Sequence, residues 1–68
     1  MIDCSPGKRV RLARILKDLT QLKLARAARL PASTLSLIEN DLIKPKPREA
    51  RRINQILGEE IFPVEVEK

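Results

Sequence analysis

Residues 19–45 contain two short helix patterns joined by a break of about three residues, and this feature constrains the fold of the chain most strongly. Thr20 suits the N-cap of the first of these helices. Pro31 suits the start of the second, because proline has no backbone N–H to leave unpaired there. In such an arrangement one helix braces the other. The pattern therefore predicts an all-α fold built from short helices.

The spacing of apolar residues along the whole chain predicts four helices. Their expected bounds are residues 6–18, 21–28, 32–39 and 47–57. Ser5 and Pro6 suit the start of the first helix, and Gly58 suits the end of the fourth. Residues 59–62 are expected to add one more turn. The alternation of Val and Glu at residues 64–67 is typical of a short strand or an extended tail.

These elements predict a compact, four- to five-helix, all-α fold with a short extended C-terminal tail. The chain is expected to form a single domain over residues 1–68, with a core at residues 6–58 and a tail at residues 59–68. The first helix carries a broad apolar stripe, which consists of Leu12, Ile15, Leu16 and Leu19. The expected inward anchors of the other helices are Leu24, Ala25, Ala28, Leu35, Ile38, Ala50, Ile53, Ile56 and Leu57.

Composition excludes several classes of function. Histidine is absent and Cys4 is the only cysteine, so the usual general base, an intramolecular disulfide and thiol-rich metal sites are excluded. No plausible nucleophile–base set remains, and we expect no enzyme, no metal and no cofactor. No apolar run approaches the ~20 residues that span a membrane, and the N-terminus has no signal-peptide core. A cytoplasmic protein without a membrane partner is expected.

Basic residues are concentrated in the first part of the chain. Residues 1–29 carry eight basic and two acidic side chains, a net charge of +6, whereas residues 59–68 carry one basic and four acidic side chains, a net charge of −3. A basic domain attracts polyanions, mainly nucleic acid. The alternative is that lysine and arginine only solvate helix faces, and charge alone does not decide between the two.

Several short motifs lie in and around the two central helices. They are Leu19-Thr20-Gln21, Leu24-Ala25, Ser33-Thr34-Leu35-Ser36, Ile38-Glu39-Asn40, Lys44-Pro45 and Leu57-Gly58, together with Val10 and Arg14. At these spacings the chain resembles the lambda-repressor-like, Cro-type helix-turn-helix family, also called the XRE family, over about residues 7–58. The resemblance implies a DNA-binding transcriptional regulator with a five-helix core. In that family the second helix starts at a phosphate and the third enters the major groove.

The resemblance also implies which residues contact DNA. Gln21 would contact the phosphate backbone from the N-terminus of the second helix, and Asn40 would make another phosphate contact. Bases would be read from Ala32, Ser33 and Leu37, which offer one hydroxyl and two apolar side chains, so direct readout is expected to be modest. The full predicted DNA-binding set is Thr20, Gln21, Ala32, Ser33, Thr34, Ser36, Leu37, Asn40, Lys44 and Lys46.

Each of these assignments has a simpler alternative. Gln21, Ser33 and Ser36 are also compatible with solvated helix positions, and Thr34 is equally suited to packing. Lys44 and Lys46 would position the protein on phosphates without specifying a sequence.

The resemblance further implies a partly buried salt bridge between Arg14 and Glu39, although an exposed Arg14 in contact with phosphate is the alternative. The sequence departs from the family pattern at Arg29, where glycine is usual in the turn, and at Pro31, where a Ser or Thr cap is usual. A positive φ at Arg29 would store about 1–2 kcal/mol of strain.

Leu12, Leu16 and Leu22 occupy positions at which the family often has polar residues. One explanation is that they pack against Ile61-Phe62, and the other is an exposed patch used for association. The alternating tail is suited to pairing with a second copy across a two-fold axis.

Together these patterns predict a sequence-specific transcriptional regulator, in the first place a repressor. It would bind double-stranded DNA as a homodimer on a pseudo-palindromic site, with the third helix in the major groove. One alternative is the antitoxin of a toxin–antitoxin pair, with a toxin as protein partner. The other is a protein-interaction module of the same fold.

Overall fold

A computed structural model describes residues 5–62, and within them the chain forms four α-helices without a strand. Helix α1 spans Pro6–Leu16, α2 spans Gln21–Ala27, α3 spans Ala32–Glu39 and α4 spans Pro47–Leu57. The predicted all-α fold is confirmed, with α1 ending two residues and α2 one residue earlier than expected. Cys4 and residues 63–68 of the predicted tail lie outside the described residues. None of the four helices has the length and apolar character needed to span a membrane.

The core lies between α3 and the two helices that precede it. Both α1 and α2 pack on α3, and α4 packs on α1 and α2. The predicted inward anchors of α2, α3 and α4 are confirmed: all are buried except Ile56, which is partly buried and packs against the same cluster. Leu30 from the α2–α3 turn and Ile61 from beyond α4 complete the core.

Most of the apolar stripe of α1 lies away from the core, and Leu12, Leu16 and Leu22 are exposed, as the second explanation for these leucines requires. The buried residues of α1 are Gly7, Val10 and Ala13. Leu12, Ile15 and Leu16 are exposed on the other side of the helix, and we refer to these three as the α1 apolar face. Leu19, beyond the helix end, does pack against the core. The helix period of 3.6 residues allows only one of the two sides to meet α3, and the smaller side is the one that does.

Three of the helices end in the same way, at a residue other than glycine in the left-handed conformation. Asp18, Arg29 and Asp41 have φ values of 57°, 60° and 61°. After α2, the amide of Leu30 donates to the carbonyl of Ala25 at 2.8 Å, which is the long bond of a Schellman motif. The same bond pattern follows α1 and α3. These ends turn the chain sharply and keep the connections short.

The start of α1 lies against the end of α3. The hydroxyl of Ser5 caps α1 by accepting from the amide of Lys8 at 3.3 Å, and the amide of Gly7 donates to Asp41 Oδ1 at 3.0 Å. A Cβ atom at Gly7 would lie 2.5 Å from the carbonyl oxygen of Ile38 and 2.7 Å from that of Glu39. Only glycine allows the two helices to approach this closely.

The segment after α4 is not the extra helical turn predicted for residues 59–62. Gly58, with φ of 70°, ends α4 as expected and redirects the chain. The side chain of Asn54 then bonds to the backbone beyond it, because Oδ1 accepts from the amides of Ile61 and Phe62 at 3.0 and 3.1 Å. Asn54 Nδ2 donates to the carbonyl of Phe62 at 2.8 Å. These bonds occupy backbone groups that a helical turn would use.

We expect Gly7→Ala to destabilise the domain by about 1–3 kcal/mol, because the new methyl group would overlap two backbone carbonyls that cannot rotate away. Urea unfolding followed by circular dichroism measures the change. Lys8→Ala, on the exposed side of the same turn, is the control and should stay within about 0.5 kcal/mol of the parent chain. Equal stability of Gly7→Ala and the parent would contradict the close packing described above.

Candidate nucleic-acid interface

Helix α2 begins at the residues predicted to meet a phosphate. Thr20 is the N-cap, and its Oγ1 accepts from the amide of Lys23 at 3.1 Å. Gln21 is therefore the first helical residue, and it is partly buried at the junction of α2 with α3. A capped helix start of this kind fixes the direction in which the first side chain leaves the backbone.

The turn between α2 and α3 sets the position of the third helix. Arg29 adopts the positive φ that its place in the turn suggested, and Pro31 is the N-cap of α3 without a side-chain hydrogen bond. The connection covers Ala28 to Pro31, so α3 starts close to the end of α2. This is the compact geometry expected of a helix-turn-helix unit.

The residues predicted to read bases lie on or near the solvent side of α3. Ser33 is exposed and Leu37 is 40% exposed, while Ala32 is partly buried and packs against the core. Thr34 and Ser36 are also partly buried. The exposed side therefore offers one free hydroxyl and an apolar surface.

A buried ion pair joins α1 to α3. Arg14 Nε donates to Glu39 Oε2 at 2.8 Å, and Arg14 Nη2 lies 3.3 Å from Glu39 Oε1. The side chains are 13% and 3% exposed, which does not fit the alternative in which Arg14 reaches out to a phosphate. Arg14 Nη1 also donates to the carbonyl of Leu19 at 2.9 Å, just before α2.

Gln21 belongs to the same network. Its Nε2 donates to Glu39 Oε1 at 3.1 Å, so the carboxylate of Glu39 holds both Arg14 and the first residue of α2. One N–H and the carbonyl oxygen of the Gln21 carboxamide remain for another partner. Because Arg14 offsets the charge of Glu39, the carboxylate orients Gln21 without presenting a free negative charge.

These residues line a shallow cleft between α1, α2 and α3. Its volume is about 300 Å³, and its lining residues are Arg11, Arg14, Gln21, Glu39 and Asn40. Asn40 is exposed, and its Nδ2 donates to the carbonyl of Ser36 at 2.8 Å. The cleft thus presents one exposed guanidinium and two side-chain amides, which is a donor set suited to a phosphate.

The sequence prediction did not include Arg11. Its spacing was the available signal, since Arg11 lies three residues before Arg14 and therefore on a neighbouring side of the same helix. The bond between Glu39 and Gln21 was also not predicted, because it joins residues on two different helices.

The connector between α3 and α4 is basic. Lys44 and Lys46 are both exposed, and the ion pairs within residues 5–62 are Arg9–Glu59 and Arg14–Glu39. The backbone amide of Lys46 donates to Glu49 Oε1 at 2.9 Å, which fixes the start of α4. Beyond it, Arg48, Arg51 and Arg52 line a groove of about 660 Å³ together with Lys46. In the part of the chain that the structure describes, no group of three acidic or cysteine side chains is placed to hold a metal.

Comparison with protein families matches residues 10–63 to a family model described as helix-turn-helix (HTH_3). The match covers most of the chain, including α2, the turn, α3 and α4. Neither curated proteins nor solved structures give a match.

We expect Arg14→Ala to destabilise the domain by about 3–5 kcal/mol, because it would leave the carboxylate of Glu39 buried without its cation. Thermal unfolding measures the loss. Arg11→Ala, one turn earlier and exposed, is the control and should change stability by less than about 0.5 kcal/mol. An unchanged melting temperature for Arg14→Ala would show that the ion pair does not hold α1 against α3.

We expect Arg29→Gly to stabilise the domain by about 1 kcal/mol, because glycine adopts a positive φ without the strain that a side chain introduces. Arg26→Gly, within α2 and equally exposed, is the matched control and should destabilise by a similar amount, since glycine is unfavourable inside a helix. Thermal unfolding of both variants gives the comparison. A loss of stability in Arg29→Gly would contradict strain at this turn.

Proposed function

Because the chain belongs to the lambda-repressor-like (XRE) helix-turn-helix family of DNA-binding transcription regulators, we propose that it is a sequence-specific repressor. It acts as a homodimer on a pseudo-palindromic site in double-stranded DNA and blocks transcription by occupying the promoter. The observation that supports this most directly is the buried network of Arg14, Glu39 and Gln21, which ties the start of α2 to the end of α3.

The network supports phosphate binding at the cleft. A phosphate at this position accepts a hydrogen bond from the Gln21 carboxamide. It also lies close to the guanidinium of Arg11 and to the exposed Asn40. Glu39 uses its two oxygens for Arg14 and Gln21, so the anion does not meet an unpaired carboxylate. Charge-assisted hydrogen bonds of this type position a protein on the duplex without reading its sequence.

Base reading is the task of α3. Anchored at its end by Glu39, the helix enters the major groove and presents Ser33 and Leu37 to the base edges, with Ala32 at its first turn. The Ser33 hydroxyl donates or accepts towards a purine, and Leu37 contacts an apolar group such as the methyl of thymine. Thr34 and Ser36 are partly buried, so their contribution is limited to nearby phosphates.

The basic connector extends the phosphate contacts beyond α3. Lys44 and Lys46 are exposed on the segment that leaves the recognition helix, and two prolines, Pro45 and Pro47, restrict its backbone. A restricted basic segment loses little conformational entropy on binding. These two lysines contribute salt-dependent affinity that is the same for every sequence.

Selection from a random duplex library at near-physiological salt tests the proposal. We expect enrichment of a two-fold-symmetric site with half-sites about one helical turn apart. Enrichment of no sequence, with binding that falls steeply as salt rises, would leave a backbone-only binder. Absence of binding would overturn the proposal in favour of a protein-interaction module of the same fold.

Two variants separate base reading from phosphate contact on the selected site. Lys44→Ala should weaken binding to all sequences and lower the salt slope by about 1. Ser33→Ala should relax the preference at one base pair at a cost of about 1 kcal/mol, the net value of a single hydrogen bond. Lys17→Ala, an exposed lysine beyond the end of α1, is the control for net charge. An identical effect of Lys44→Ala and Lys17→Ala would contradict a specific phosphate contact at the connector.

A further inference from the structure

The α1 apolar face is a feature that DNA binding leaves unexplained. Leu12, Ile15 and Leu16 are 53%, 52% and 75% exposed, and they are neighbours on the solvent side of one helix. Contiguous exposed apolar side chains are uncommon on a small soluble domain and mark a surface that is covered by something.

This face points away from the recognition helix. Residues Gly7, Val10 and Ala13 form the opposite side of α1, which is buried and packs on α3 and α4. A duplex held by the exposed side of α3 therefore does not cover Leu12 or Leu16. The α1 apolar face is therefore covered by something other than DNA.

The chain beyond α4 starts beside this face. Arg9 forms an ion pair with Glu59, and Arg9, Leu12 and Leu16 follow one another at spacings of three and four residues along one ridge of α1. Glu59 thus lies at the beginning of the ridge on which Leu12 and Leu16 stand. The three hydrogen bonds of Asn54 hold the next residues in place as far as Phe62.

The remaining residues have sufficient length to follow the ridge. Arg9 and Leu16 are seven residues apart, which is about 10 Å along a helix axis. An extended segment made of residues 63–68 covers up to about 20 Å. Residues 63–68 are therefore long enough to extend along the whole α1 apolar face.

The chemistry of this segment matches the surface. Val64 and Val66 alternate with Glu65 and Glu67. On α1, the exposed cations Lys8 and Arg11 lie four residues before Leu12 and Ile15, so the apolar face has a basic edge. An extended segment with valines on one side and carboxylates on the other complements both features at once.

We propose that residues 63–68 bind the α1 apolar face of the same chain. The two valines cover Leu12 and Leu16, and the two glutamates lie towards Lys8 and Arg11. This inference is independent of DNA binding, and it assigns the exposed side of α1 to a segment of the same chain.

Thermal unfolding of the full-length chain and of the chain ending at Pro63 tests the contact. Both lengths are measured in the parent, the Leu12→Gln/Leu16→Gln and the Leu42→Gln backgrounds. We expect removal of residues 64–68 to lower the Tm of the full chain by about 4 °C or more, and to have no effect in the Leu12→Gln/Leu16→Gln background. Leu42→Gln replaces a leucine that is 70% exposed elsewhere, and truncation should still lower its Tm. An equal effect of truncation in all three backgrounds would overturn the proposal.

A disulfide test gives a second measurement that does not depend on stability. With Cys4 replaced by Ser, Leu16→Cys and Val66→Cys should form an intramolecular disulfide in dilute, oxidised protein, whereas Leu42→Cys and Val66→Cys should not. Linked dimers instead of linked monomers would overturn the proposal and identify a second copy as the occupant. Equal linking at residues 16 and 42 would also count against it.

Discussion

The ion pair between Arg14 and Glu39 is the interaction on which the arrangement of the helices depends. Burial of a carboxylate is unfavourable unless the charge is paired and its oxygens accept hydrogen bonds, and here both conditions are met by a single guanidinium and one amide. The pair joins the last turn of α1 to the end of α3, and its hydrogen bonds extend to the start of α2. Within residues 5–62, no buried polar side-chain atom lacks a hydrogen-bond partner. The cleft lined by Arg11, Gln21 and Asn40 is therefore built directly on this buried network.

Close approach and sharp turns make this arrangement possible in a chain of 68 residues. Gly7 lets the backbone of α1 contact the backbone at the end of α3. Its amide donates a hydrogen bond to the side chain of Asp41, which follows α3 in a left-handed conformation. Three such endings replace longer loops. Short connections lower the entropy lost on folding, which matters for a domain whose core is small.

Local features of the chain were predictable, and features that depend on the meeting of distant residues were not. Helix positions followed from caps such as Thr20 and Gly58 and from apolar spacing, since both act within a few residues. The buried side of α1 could not be predicted from local sequence, because apolar residues occur on both sides of the helix. The contact of Gly7 with α3 determines which side is buried. The role of Asn54 is non-local in the same sense, since nothing near it marks a partner seven residues away. The residues predicted to touch DNA remain predictions, with Arg11 added by the cleft.

The chemistry of the exposed side of α3 has a consequence for how the protein would distinguish one DNA site from a similar one. The exposed side of α3 carries a single hydroxyl and apolar side chains. It lacks the paired donors and acceptors by which arginine, glutamine or asparagine recognise one base. If this surface meets a duplex, it distinguishes DNA sequences mainly by how easily each one bends, or narrows its groove, to fit α1, α2 and α3. That selection acts also at base pairs that no side chain touches. DNA sites for such a protein would then resemble one another more in flexibility and groove width than in base sequence.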